Sequence, residues 1–183
     1  MKIKKGTPLI DQHDKSGFWD GKFGGSYIPE TLKKPVEDLT NLFEKLRKDK
    51  KFIQERDYYY TNWVHKGPTP FIKLENLTNY LGGAQVWAKV VSEARGGAHK
   101  IYGAITAAML CKAMGKKFLV TDTGAGYNGK MFSIAGKHFG LKVKVFMGIK
   151  DILRQKPNCD AMRANGAEIV PVYTGSQTLA DAV

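Results

Sequence analysis

The stretch FLVTDTGAGYNGKMFSIAGKHFGLKVKVFMG, residues 118–148, decides the fold. It opens on FLVTD (118–122), apolar and β-branched or aromatic in the manner of a strand. TGAGYNG (123–129) follows and reads as a glycine-rich loop. Residues 130–139 carry apolar side chains at helical spacing, and Gly140 ends them. VKVFMG (143–148) is a second strand. Strand, loop, helix and strand make one crossover unit of a parallel sheet.

The same rhythm extends in both directions. Upstream, Gly96-Gly97 introduces a helix, IYGAITAAMLCKAM (101–114), which Gly115 ends. Downstream come a helix over 152–165 ended by Gly166, the strand EIVPV (168–172), and a helix over 176–183 with Ser176 as its cap. Earlier still, PFIKL (70–74) and AQVWAKVV (84–91) read as strands around a helix, ENLTNYL, stopped by Gly82-Gly83. The first 65 residues are irregular and then helical, with Val36, Leu39, Leu42, Phe43 and Leu46 on one face and Pro35 near the first turn or kinking it. Near-continuous apolar strands between helices predict an α/β fold, a parallel sheet with flanking helices. The last helix reaches Val183 with no strand after it. The sequence is therefore expected to be the N-terminal portion of something longer.

Composition bounds the rest. The chain has 183 residues, is 43% hydrophobic and 25% charged, and carries a net charge of +12. That describes a soluble globular protein, and no run of ~18 apolar residues calls for a membrane. Two cysteines, Cys111 and Cys159, make no disulfide framework, so a cytoplasmic location is expected. The histidines show no metal-ligand spacing with them, and no metal is expected. The basic runs Lys2-Lys4-Lys5 and Arg47–Lys51 lack interleaved aromatics, so a solvated charged face is favoured over a nucleic-acid partner.

Two segments can carry chemistry. In GGAHKI (96–101), Lys100 stands where a helix begins, and the N–H groups and dipole there disfavour its ammonium form. A neutral lysine amine forms a Schiff base with a carbonyl cofactor, the helix N-terminus suits a phosphate, and His99 adds a contact. A surface lysine in a helix cap is the plainer alternative. In FLVTDTGAGYNG, Asp122 ends a strand ahead of a loop whose N–H groups face an anion. Asp122 suits acid–base work there, or simply a turn. Gly124, Gly126 and Gly129 also spell G-x-G-x-x-G, with Asp151 22 residues on, so a nicotinamide-dinucleotide Rossmann domain competes.

Eight collinear blocks then resemble one family: FGGSYIPETL (23–32), GPTPFIKLENLT (67–78), LGGAQVWAK (81–89), GAHKI (97–101), TGAG (123–126), FGLKVKVFMG (139–148), GAEIVPV (166–172) and TGSQTLADAV (174–183). They are similar to the tryptophan synthase β subunit, a fold-type-II pyridoxal-phosphate enzyme. The resemblance implies pyridoxal 5'-phosphate covalently held on Lys100 with His99 beside it. It implies Asp122 in the place of a catalytic glutamate. It implies a substrate-binding loop of Thr123, Gly124, Ala125 and Gly126, with Asn128 close by. The implied reaction is β-replacement, L-serine and indole giving L-tryptophan and water, alongside an α-subunit-type partner or a second copy. It also implies an organisation: an N-terminal arm and helical segment (1–66), a segment that packs with the second domain (67–89), and an α/β domain with the lysine and a communication-type subdomain (90–183). The C-terminal domain, which holds the cofactor phosphate and pyridine nitrogen, is expected to be absent. Departures cluster at the site: Val90–Gly96, Tyr102, Gly103, Tyr127, Asn128, and an Asp122 carboxylate one methylene shorter. A truncated, diverged and catalytically silent paralogue acting as a binding module is the alternative.

Overall fold

The computed structural model describes residues 5–14 and 16–183. They fall into two compact units, Met1–Asn41 and Leu42–Val183. In the first, β1 (Phe18–Trp19) pairs antiparallel with β2 (Phe23–Gly24). The Asp14 carboxylate ties the approach by accepting the N–H of Ser16 at 2.8 Å and of Phe18 at 2.9 Å. Helix α1 (Glu30–Leu46) begins in this unit and ends in the second, and it runs through Pro35 in its second turn rather than starting there.

The second unit holds the rest. Asp49 caps α2 (Lys50–Tyr58) by accepting the Phe52 N–H at 2.9 Å. The aromatic run then winds into a π-helical turn, Tyr59–Val64. Tyr60 is fixed there by its hydroxyl, 2.6 Å from Thr106 Oγ1 and 3.1 Å from the Tyr102 carbonyl. β3 (Phe71–Lys73) and β4 (Trp87–Lys89) bracket α3 (Glu75–Leu81), as the sequence predicts, but they pair antiparallel with each other and join no parallel sheet.

The parallel sheet has three strands in sequential order, β5 (Phe118–Asp122), β6 (Lys142–Gly148) and β7 (Glu168–Val172). Its helices are α4 (Lys100–Ala113), α5 (Tyr127–Phe139), α6 (Ile149–Arg154), α7 (Lys156–Ala164) and α8 (Leu179–Ala182). Three boundaries differ from the sequence reading. Tyr127-Asn128-Gly129 belongs to α5, not to the loop, because Gly126 already takes the left-handed turn that starts the helix. The single helix expected over 152–165 is two, broken at Gln155 (φ −111°, ψ 35°), since Pro157 offers no N–H to the carbonyl four residues back and its ring would clash there in a continuous helix. The last helix is only Leu179–Ala182, and Ser176 does not cap it; its hydroxyl bonds the Asp181 carboxylate and Thr178 Oγ1 instead.

The sheet is also one-sided. Leu119, Val143, Val145 and Met147 are buried beside Ile101, Ile105, Met131 and Met162 of the helices. The alternate residues face away. Val120 is 55% exposed. Lys142 and Lys144 place their Nζ atoms 5.7 and 5.8 Å from the Phe118 ring centre. Lys144 also pairs at 3.2 Å with Glu168, its register partner on β7. The sheet is parallel with flanking helices as expected, but its strands are not near-continuously apolar. The Lys-Val-Lys-Val alternation of β6 is the half-buried pattern.

Helices α4 and α5 run parallel. At one end, a Cβ on Gly96, just before α4, would lie 2.7 Å from Met131 Sδ and 2.9 Å from Ile134 Cδ1 of α5. At the other, Lys112 Nζ stands 5.9 Å over the Phe139 ring. Since α5 starts from the carboxyl end of β5, both helices have their N-termini at that end of the sheet. Gly136 lets α5 sit against β6, for a Cβ there would fall 2.1 Å from Val143 Cγ2.

His138, near the end of α5, packs at 5.3 Å from the Tyr59 ring and 4.5 Å from Trp63, over which Arg95 stacks at 4.4 Å. Burial lowers its pKa, and the Arg95 and Lys112 charges lower it further. The unfolded chain, with an ordinary value near ~6.5, therefore takes up a proton before the folded one. Stability should be full above that value, and should fall as pH drops from there toward the lower folded pKa. Urea midpoints across pH 7.5 to 5.5 measure this, and His138→Gln should flatten the slope. Burial likewise pushes up the Cys111 and Cys159 thiols, which suits packing rather than nucleophilic roles.

Candidate active site

Lys100 is the first residue of α4. The turn before it is built on Gly96 and Gly97 at φ +83° and +82°, a left-handed conformation that leaves little choice but glycine. The turn closes with the Gly97 N–H on the Ala94 carbonyl at 2.8 Å. His99 precedes Lys100 in helical geometry. Both side chains are exposed, and among the described residues neither makes a hydrogen bond or ion pair.

The second half of the site begins where β5 ends. Thr123 is 2% exposed, and its N–H reaches the Phe146 carbonyl at 3.0 Å, extending the ladder one residue. Gly124, Ala125 and Gly126 then turn the chain, Gly126 at φ +88°. Among the described residues no backbone carbonyl accepts their N–H groups. Two asparagines hold this loop. Asn128 Nδ2 donates to Thr121 Oγ1 at 2.7 Å and to the Asp122 carbonyl at 2.9 Å. Asn158 Nδ2 donates to the Ala125 carbonyl at 2.8 Å, and its Cβ sits 2.5 Å from where a Gly126 Cβ would be. Leu179 Cβ would stand closely, at 3.1 Å, against a Cβ on Gly124, and Asp151 Oδ2 in ordinary contact at 3.6 Å. The Asp122 side chain is half-buried.

The parallel packing of α4 and α5 brings the Lys100 turn and the Thr123–Gly126 loop to one end of the sheet. Asn128 is beside them, but its amide nitrogen is spent on the end of β5. Asp151 lies in the first turn of α6 with a side chain 16% exposed, turned toward the loop and 4.0 Å from Arg154 Nη1. Sequence reading missed Asn158 and Leu179 as neighbours of the loop. Pro157 was the available signal, because proline favours a first helical turn and so brings the next residue to a helix start.

The pyridoxal-phosphate dependent enzyme family matches residues 63–183. The chain belongs to that family. The tryptophan synthase β chain of Leptospira biflexa serovar Patoc is 41% identical over 162 residues, in both the Ames and the Paris strain. The match covers 88% of this chain and 41% of the relative, so the chain spans about two fifths of the length of the curated relatives it matches. Among solved structures, Escherichia coli diaminopropionate ammonia lyase in its apo form aligns with a TM-score of 0.58 at 21% identity, over 70% of this chain and 38% of that one. A pyridoxal 5'-phosphate-dependent aspartate racemase aligns at 0.51 and 24%, over 61% and 34%. These two likenesses speak to the fold. Family membership, rather than the Gly124-x-Gly126-x-x-Gly129 spacing, decides the cofactor class as pyridoxal phosphate. The residues fit its carbonyl end: an uncommitted lysine amine at a glycine turn, with open space around Gly103 one turn on.

Proposed function

We propose that this chain carries the lysine-and-loop half of a tryptophan-synthase-β-type site, which replaces the β-hydroxyl of L-serine with indole in the cytoplasm. The observation that carries the reading is the parallel pairing of α4 and α5, with the Lys100 turn and the glycine loop at one end. Pyridoxal phosphate, when bound, supplies an electron sink for the α-carbon of the amino acid. Lys100 Nζ holds the cofactor and moves the proton at that carbon. His99 contacts the cofactor beside it. The N–H groups of Gly124, Ala125 and Gly126 bind the substrate carboxylate, with Thr123 anchoring the loop to β6 and Asn128 keeping the end of β5 under it. The Asp122 carboxyl group, once it has taken up a proton, hands that proton to the departing hydroxyl oxygen, which leaves as water. A second domain, an α-subunit-type partner or another copy completes the site. The β3–α3–β4 segment suits such docking: Phe71 and Trp87 stack at 5.0 Å while 62% and 46% exposed.

The commitment of the Asn128 amide to β5 favours a second reading, a chain that binds cofactor without turnover. One titration separates the two. Adding pyridoxal phosphate to the chain should produce the visible band of a lysine-linked cofactor, and L-serine should then shift it. A band that ignores L-serine gives the second reading, and the absence of any band overturns both.

A further inference from the structure

Asn158 is the contact the catalytic reading does not use. It is the third residue of α7, and it owes its place to the break at Gln155 and to Pro157 in the first turn. From there its Nδ2 donates 2.8 Å to the Ala125 carbonyl, and its Cβ closes on Gly126. The carbonyl of Ala125 and the N–H of Gly126 belong to the same peptide plane. Holding one fixes the direction of the other. Asn128 holds the preceding residues through Thr121 and the Asp122 carbonyl, so the loop is pinned at both ends.

We propose that Asn158 is a positioning residue: its bond to the Ala125 carbonyl orients the loop N–H groups toward an amino-acid carboxylate. This rests on the carboxylate role given to the loop above. Without the bond, the peptide between Ala125 and Gly126 is free to rotate, and at φ +88° Gly126 alone resists little.

The test is Asn158→Leu, which keeps the shape against Gly126 and removes the donor. Two readouts are taken on the full chain. The first is amide hydrogen exchange at Lys130, whose N–H bonds the Gly126 carbonyl at 2.9 Å, with no cofactor present. It should accelerate roughly tenfold, while exchange in the middle of α4 stays as in the wild type. The second is the L-serine concentration giving half of the spectral shift on the pyridoxal-phosphate-loaded chain. It should rise by about tenfold with the initial visible band unchanged, because Lys100 is untouched. Unchanged exchange at Lys130 overturns the proposal. So does faster exchange with no change in L-serine dependence. If the wild-type chain itself gives no L-serine shift, the carboxylate role of the loop fails, and orientation toward a carboxylate fails with it. The exchange result then still reports whether Asn158 pins the loop.

Discussion

Lys100→Ala should abolish the visible band that pyridoxal phosphate gives with this chain, whereas Lys130→Ala should retain it. The contrast is informative because the chain has 24 lysines, and any accessible amine reacts with an aldehyde to some extent. Lys130 is the demanding control. It lies in α5 within a turn of the glycine loop, with its ammonium 5.8 Å over the Tyr127 ring. Both lysines are therefore near the same end of the sheet. Only Lys100 sits on a turn that two left-handed glycines shape, with no partner for its amine. A covalent link has no partial substitute, so the expected effect is complete loss rather than weakening. Reduction with borohydride and mass analysis of the peptide around residues 97–112 would locate the label. A label on Lys130, or a band that survives Lys100→Ala, removes Lys100 from the role.

Ile105→Ala should be the most damaging conservative change to the fold. Ile105 is 0% exposed in the middle of α4, within the cluster that includes Met131, Val145 and Met162. Small residues, Ala104 and Ala108, lie beside it in the buried core, and they let the elements approach closely. Such close packing leaves little room to relax around a void. Truncation of a buried isoleucine costs ~2–5 kcal/mol, and Ile105→Val about 0.5–1.5 kcal/mol. A loss in the upper range lowers Tm on the order of 10 °C for a unit of this size. Thermal melts of the two variants side by side check the ratio as well as the size. Equal, small shifts would mean that α4 is not central to the core.

Most of the fold was legible because its punctuation is chemical. Gly82 and Gly140 end their helices in left-handed geometry at φ +64° and +67°, where glycine carries no Cβ penalty. Strands β5, β6 and β7 fall where aromatic and branched residues cluster. What escaped were features set by contacts distant in sequence. The π-helical turn at Tyr59–Val64 depends on Tyr60 meeting Tyr102 and Thr106, more than forty residues away. The end of the chain was misread because the Ser176 hydroxyl prefers a nearby carboxylate to a backbone N–H. At the site, residue types alone left Lys100 and Asp122 open to bland explanations. The resemblance gave them roles, and the topology supplied the missing relation between them, a shared end of the sheet. For Asn158, Pro157 signals only a place at a helix start, and not the bond to a loop 33 residues earlier.

The alternation of Lys142-Val143-Lys144-Val145 has a consequence for how the sheet assembles. Side chains on a strand change face at every step, so a slip of one residue would turn both lysines under α5 and lift Val143, Val145 and Met147 into water. An unpaired ammonium taken out of water costs several kcal/mol. It would also break the register that sets Lys144 opposite Glu168. The two lysines therefore serve as a proofreading mark on the central strand. A misaligned pairing of β6 with β5 is thereby disfavoured against the native register.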